Sequence, residues 1–231
     1  MSRTAPNVIS GQDDPSRDAE TQAQSAYRRI EEMIVTLEVP PGSRISEKTL
    51  SAQLGIGRTP VREALQRLAY ERTIRVLPRS GVVVSEIDIA EHFKLIEVRR
   101  ELERILVMRS ARLAEPDVCK RFAELAERFT QAAEQDDEAI FLPADAEFNA
   151  LVAVTARNDY AAAAMRPLQA QTRRFWFLYF RQVGDLAHVS RLHADIAEAI
   201  SHKDERGARD ASDRLLDYVE HYTYLTMRAL L

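Results

Sequence analysis

Residues 57–68 read GRTPVREALQRL. Within them Val61, Ala64, Leu65 and Leu68 recur at the three- and four-residue spacing of one face of an α-helix, while Arg58, Arg62 and Gln66 fall on the other. Thr59 followed by Pro60 reads as an N-cap with proline at the first helical position. The spacing therefore predicts a short helix, apolar on one side, with two arginines four residues apart at its start. A helix N-terminus offers free N–H groups and a partial positive charge to an anion. The arginine fork in turn suits phosphate oxygens and guanine edges. On spacing alone, a solvated surface role for Arg58 and Arg62, paired with Glu63 or Gln66, stays equally open.

Working outward toward the N-terminus, Ala26, Ile30, Met33, Ile34 and Leu37 mark a first amphipathic helix, stopped by Pro40, Pro41 and Gly42. A second, of about two turns, starts after Ser46 as N-cap, carries Leu50 and Leu54 on one stripe, and ends at Gly55. On the other side of residues 57–68 the period changes to two. Ile74 and Val76 alternate with Thr73 and Arg75, Pro78 to Gly81 turns the chain, and Val82 and Val84 resume the alternation, which predicts a small hairpin. Three short helices and a hairpin, with basic and hydroxyl residues opening the third helix, is the arrangement of a winged helix-turn-helix.

From Asp88 to Leu231 there is no strand signal, only amphipathic stretches broken at Glu115–Pro116, Leu142–Pro143, Asn158, Gly184–Asp185 and Lys203–Asp204. Six helices in an antiparallel bundle fit those breaks. The expected architecture is mainly α, with a polar, disordered leader over 1–22, the winged helix-turn-helix over 23–86 and the helical unit over 87–231. Charge follows the same division. Residues 24–82 carry a net +4, the preceding 23 residues −2 and the remainder −6, so a polyanion-binding head precedes an acidic body. Apolar residues at 45% and charged residues at 29% exclude a chain that is disordered or membrane-embedded throughout. The longest aromatic run, Phe175 to Phe180, is far too short to span a bilayer, so no membrane partner is expected. A single cysteine, Cys119, and the absence of an apolar segment in MSRTAPNVIS point to a cytoplasmic location.

The stretch from Ala26 to Val84, above all GRTPVREALQRL preceded by PPGSRI at 40–45, resembles the DNA-binding domain of the GntR family of bacterial transcription regulators. The resemblance implies that Arg58, Thr59 and Arg62 contact double-stranded operator DNA and that Lys48 adds a basic contact. It also implies that Arg44 approaches the backbone, that Gly81 forms the wing tip in the minor groove, and that Glu63 orients a neighbouring arginine. Gly57 stands where the family commonly has serine, and Glu71–Arg72 replaces the frequent Glu-Gly, so one hydroxyl contact to phosphate is missing.

The remainder resembles the FadR-type subfamily, whose ligand domain is the all-helical FCD bundle, through EVRRELE at 97–103, DAEFN at 145–149, Asn158, HADIAEAI at 193–200, Asp204 and Ala208. Many members bind a divalent metal, zinc or nickel, through an aspartate, a histidine four residues on and two further histidines about 22 apart. Carried over residue by residue, those positions are Asp145, Asn149, His193 and Leu215. Leu215 cannot coordinate and Asn149 offers only a carbonyl oxygen, so a divalent metal on Asp145, Asn149 and His193 stays as the one cofactor the resemblance allows, short of the three good ligands that such a site uses. Without a metal, an anionic effector needs another cation, and Arg99 occupies the family's inward-facing arginine. Arg173 and Arg174, beside the aromatic run, are further candidates to line the same cavity, while the aromatics themselves mostly fill core or a subunit contact. His193 reads either as a ligand or as a helix residue satisfied by a carboxylate such as Asp145; His188, His202 and His221 read as exposed.

No nucleophile with a positioned base, phosphate loop or spaced acid pair is present, so the chain does not read as an enzyme. The resemblance implies a homodimeric repressor of a pseudo-palindromic operator, released by a small organic acid bound in the body. The alternative is a constitutive dimeric DNA-binding regulator whose helical domain no longer senses a ligand.

Overall fold

The structure is a computed structural model that describes residues 21–77, 81–180 and 184–230. The leader expected over 1–22 lies, up to residue 20, outside the described residues, as do positions 78–80 of the hairpin turn. Thr21 caps α1 (Gln22–Val35) in a reciprocal box with Gln24. Helix α1 ends before the expected Leu37, because Leu37 has entered the left-handed region at φ +63°. After it come β1 (Arg44–Ile45), α2 (Glu47–Leu54), α3 (Arg58–Tyr70), β2 (Ile74–Leu77) and β3 (Gly81–Val84). Ser46 caps α2 through the Thr49 amide, and Gly55, at φ +66°, closes it.

Two expectations about the head are corrected. Helix α3 starts at Arg58 with Gly57 as N-cap, so Pro60 sits at the third helical position, where an N–H still has no intrahelical acceptor to lose. The expected hairpin is the larger part of a three-stranded antiparallel sheet in the order β1-β3-β2. Arg44 pairs with Val83 and Ile45 with Val82, while Ile74 pairs with Val84 on the other side. Ile30, Ile34, Leu50, Val61, Leu65, Leu68, Ile74 and Val84 form the head's own core.

Asp88 caps α4 (Ile89–Leu113), accepting from the amides of Ala90 and Glu91. The body continues with α5 (Pro116–Gln135), α6 (Glu138–Thr155), α7 (Asp159–Phe175), a π-helical turn over Trp176–Phe180, α8 (Leu186–Ser201) and α9 (Glu205–Ala229). The break expected at Leu142–Pro143 falls instead at Asp136–Asp137. Asp136 adopts the left-handed conformation at φ +51° and Asp137 accepts from the Ala139 amide at 2.8 Å, whereas Pro143 is carried inside α6. Asn158, Asp185 and Asp204 cap α7, α8 and α9 through their side chains. Helix α5 lies along α8 and α4 along α9 around a second core built on Phe122, Phe129, Phe148, Phe175, Ile196 and Leu216.

Candidate functional site

In the head, burial of Val61, Ala64, Leu65 and Leu68 turns the opposite side of α3 to solvent, and Arg58, Thr59 and Arg62 are exposed along its first turns. No side chain caps α3, so the first-turn amides stay open to an incoming anion. Arg62 is held in a two-point pair by Glu47 of α2, with Nε at 3.0 Å from Oε1 and Nη2 at 2.9 Å from Oε2. Glu47, not Glu63, is therefore the carboxylate that orients this arginine, and the Arg62 guanidinium in turn holds the Glu47 carboxyl below its usual range. Lys48 and Arg44 are exposed on α2 and β1, and Gly81, at φ +87°, opens β3. Other bases of the head serve its fold. Arg29 donates to the Leu54 carbonyl at 2.8 Å, and Arg67 lies 3.8 Å over the Tyr27 ring while pairing with Glu71 at 3.0 Å.

In the body, α4, α6, α7, the π turn, α8 and α9 line a small cavity of about 60 Å³ whose mouth opens to solvent. Arg99, Asp145, Asn149, Arg173, His193 and Leu215 all line it, so the structure brings together residues that are up to 116 positions apart in the chain. Arg174 is not among them. It is fully buried on the other side of α7, where Nη2 donates to the Ser85 carbonyl at 2.6 Å.

The polar chain through the cavity wall has a defined direction. Gln169 Nε2 donates to Asn149 Oδ1 at 2.9 Å, and Asn149 Nδ2 donates to Asp145 Oδ1 at 2.9 Å. His193 approaches the same oxygen with Nε2 at 3.4 Å, while its Nδ1 lies 2.8 Å from the Val189 carbonyl. A carbonyl only accepts, so the Nδ1 proton is fixed there and Nε2 is the nitrogen turned to the carboxylate. Burial pushes the Asp145 carboxyl up, but the hydrogen bond and charge of His193, with Arg99 and Arg173 nearby, hold it below the usual carboxylate range. Arg99 is almost entirely buried, and its Nε donates to Glu103 Oε2 at 2.8 Å. Desolvation works against its charge, yet Glu103 outweighs it and holds the guanidinium above its ordinary range.

These residues do not fit a zinc or nickel site. The Asn149 oxygen is occupied by Gln169, Leu215 presents hydrocarbon, and Asp145 and His193 alone remain as ordinary ligands. Among the described residues no group of three or more His, Cys, Asp or Glu side chains is placed to hold a metal ion.

Two donors on the wall were not apparent in the sequence. Tyr222 Oη and Trp176 Nε1 are buried, line the cavity and have no hydrogen-bond partner among the described residues. Burial drives the Tyr222 hydroxyl well above the ordinary phenol range, so it remains a donor. Trp176 stacks on Phe141 with centroids 5.4 Å apart, and it sits in the π turn, an irregularity frequent at functional sites.

A winged helix-turn-helix joined to a helical bundle with such a cavity is the architecture of a DNA-binding transcription regulator. The family model for bacterial regulatory proteins of the gntR family matches residues 22–84, and the FCD domain model matches residues 94–218. The chain belongs to the GntR family and carries an FCD domain. It is 27% identical over 181 residues to the HTH-type transcriptional repressor RspR of Escherichia coli, covering 78% of this chain and 79% of that protein. It is 30% identical over 183 residues to the Nta operon transcriptional regulator of Aminobacter aminovorans, covering 76% and 83%. The solved structure of E. coli McbR/YncC shares the fold, with a TM-score of 0.78 at 20% identity over 90% of this chain and all of that one. Among the described residues no helix is long and apolar enough to cross a membrane.

Proposed function

We propose that this regulator is a cytoplasmic homodimer that represses transcription from a pseudo-palindromic operator and is released by a small organic acid held in the body cavity. The two heads of the dimer read the two half-sites. Arg58, Thr59 and Arg62 face the major groove, Lys48 and Arg44 approach the phosphates, and Gly81 leads the wing toward the minor groove. In the body, Arg99 and Arg173 supply the positive charge, and Asp145, Asn149 and His193 form the polar wall beside the ligand. The observation that carries the reading is the buried guanidinium of Arg99 in an aromatic-walled cavity whose Tyr222 hydroxyl and Trp176 N–H are unpartnered. An acid brings the acceptors that these donors lack. The same unpartnered donors weigh against a body that serves only for dimerisation.

The test is a thermal shift of the purified protein against small organic and sugar acids, each with and without zinc or nickel. At a hundredfold excess over Kd a ligand adds about 2.7 kcal/mol, which raises Tm by roughly 5–10 °C in a chain of this size. A rise independent of metal is expected, and it should vanish in the double variant Arg99→Gln, Glu103→Gln. The double variant is needed because removing Arg99 alone strands a buried Glu103 carboxylate, at a cost of about 3–5 kcal/mol. A panel with no shift would favour the constitutive regulator.

A further inference from the structure

Helix α7 serves the cavity and the head at once. Gln169, Thr172 and Arg173 face the cavity, while Gln171 and Arg174 hold the head. Gln171 Nε2 donates to Thr73 Oγ1 at 3.1 Å, and Arg174 Nη1 donates to Gln171 Oε1 at 2.9 Å. Arg173 belongs to both sets. It lines the cavity, and its Nη2 lies 3.2 Å from both carboxylate oxygens of Glu32 on α1.

The distribution of charge makes this sharing consequential. Arg99 is compensated within the body by Glu103, one turn along its own helix. Asp145 faces His193. Of the two arginines on the cavity, only Arg173 has its carboxylate partner in the head rather than in the body. An anion entering the cavity is therefore drawn to a guanidinium that already bonds the first helix of the DNA-binding unit. Both ends of that pair are accessible, with side-chain exposures of 34% and 55%, so it is weak enough to be exchanged.

We propose that Arg173 is the contact through which the head reads the occupancy of the cavity, the bound anion and Glu32 competing for one guanidinium. The proposal rests on the anion-binding reading of the cavity given above. When the anion takes Arg173, α1 loses its ion pair to the body, while Gln171 and Arg174 keep the wing side attached. The head is then free to reorient about that remaining attachment. Coupling of this kind is reciprocal: whatever the anion costs the Arg173–Glu32 pair, loss of Glu32 returns to the affinity for the anion. For a half-exposed pair the expected factor is at most about fivefold.

The experiment compares full-length wild-type protein with Glu32→Gln, which keeps the shape and removes the charge. Without any ligand, hydrogen exchange should quicken over residues 22–35 in Glu32→Gln and stay unchanged over 116–135. Unchanged exchange over 22–35 overturns the proposal whatever binds in the cavity. Benzoate, a carboxylate on a flat ring suited to the Phe141 and Trp176 walls, is the probe for the second arm. Its Kd by calorimetry should fall by up to about fivefold in Glu32→Gln, and it should quicken exchange over 22–35 in wild type but not further in the variant. Equal benzoate affinity in the two proteins overturns the competition while leaving the anion cavity standing. Failure of benzoate to bind either protein tells against the anion reading, and the ligand-free comparison then decides by itself whether Glu32 ties α1 to the body.

Discussion

Replacing Tyr222 by phenylalanine should make the ligand-free protein more stable and the ligand weaker. The hydroxyl is buried in a residue that is 2% exposed, and it has no hydrogen-bond partner among the described residues. An unsatisfied buried donor costs about 1–3 kcal/mol, and deleting the oxygen removes that cost while leaving a ring that still packs on Phe175 and Phe180. Allowing for the small dispersion attraction that disappears with the oxygen, the net gain should be about 1 kcal/mol, or roughly 2–4 °C in Tm for a chain of this length. The effect on ligand binding should have the opposite sign, with a loss of about 1.5–3 kcal/mol, or roughly ten- to a hundredfold in Kd, for one hydrogen bond to a charged acid. Urea denaturation is a convenient assay because Trp176, the single tryptophan, lies in the cavity wall and reports on the body. A Tyr222→Phe protein destabilised by about 1 kcal/mol or more in the absence of ligand would refute the reasoning. The hydroxyl would then be bonded in solution, by an internal water for instance, and would not be a donor waiting for a ligand.

In the head, Arg62→Ala should cost about 1–3 kcal/mol of operator binding and relax discrimination at one base position, measured by titrating operator variants at fixed salt. Unchanged affinity in the folded variant would remove Arg62 from the interface. His92 is buried against Phe175, with ring centroids 4.0 Å apart, and burial together with the charge of Arg99 pushes its pKa down to about 3. The unfolded chain takes up a proton below its ordinary pKa of about 6.5 while the folded chain does not, so stability is full above that pH and falls with acidification toward pH 3. At pH 5 the loss should be about 2 kcal/mol, and denaturation at pH 5 and pH 8 should show that difference shrinking in His92→Phe; an identical pH dependence in the two proteins would show that His92 is protonated when folded.

Much of the head is legible because its signals are local. The apolar spacing in residues 57–68 and 26–34 and the alternation at 74–84 are statements about one face of one element, and those elements form where the spacing places them. The errors come where a local rule admits two outcomes. Proline is tolerated at any of the first turn's positions, so Thr59–Pro60 does not by itself fix which residue caps α3. Pro143 forfeits one hydrogen bond but not a helix, whereas Asp136 and Asp137 together supply a left-handed turn and a cap, a stronger stop than proline alone. Strand β1 is two residues long and has no period to read. Glu63 adjoins Arg62 in sequence, but neighbours on a helix do not face each other, and the partner comes from α2. The cavity is less legible still. Arg99, Asp145, Asn149 and His193 are scattered along the chain over three helices, and only likeness to a family groups them beforehand. Tyr222 and Trp176 sit in apolar stretches that read as core, and their significance lies in partners they lack, which is a property of the packed structure.

The substitution at Leu215 and the tie between Arg173 and Glu32 bear on each other. A metal ion would bring its own charge to the ligand and ask little of the surrounding cations. With hydrocarbon at Leu215 and the Asn149 oxygen committed to Gln169, the charge opposite an acid must come from guanidinium. Arg99 is near at hand, but Glu103, 2.8 Å away, offsets part of its field. The demand then falls on Arg173, whose compensating carboxylate stands on the DNA-binding unit. On the proposal made above, a ligand's charge is met by disturbing the junction with the head, so affinity and signal would draw on the same ion pair. Strengthening that pair should weaken the ligand, and weakening it should leave a protein that binds the ligand more tightly and responds to it less.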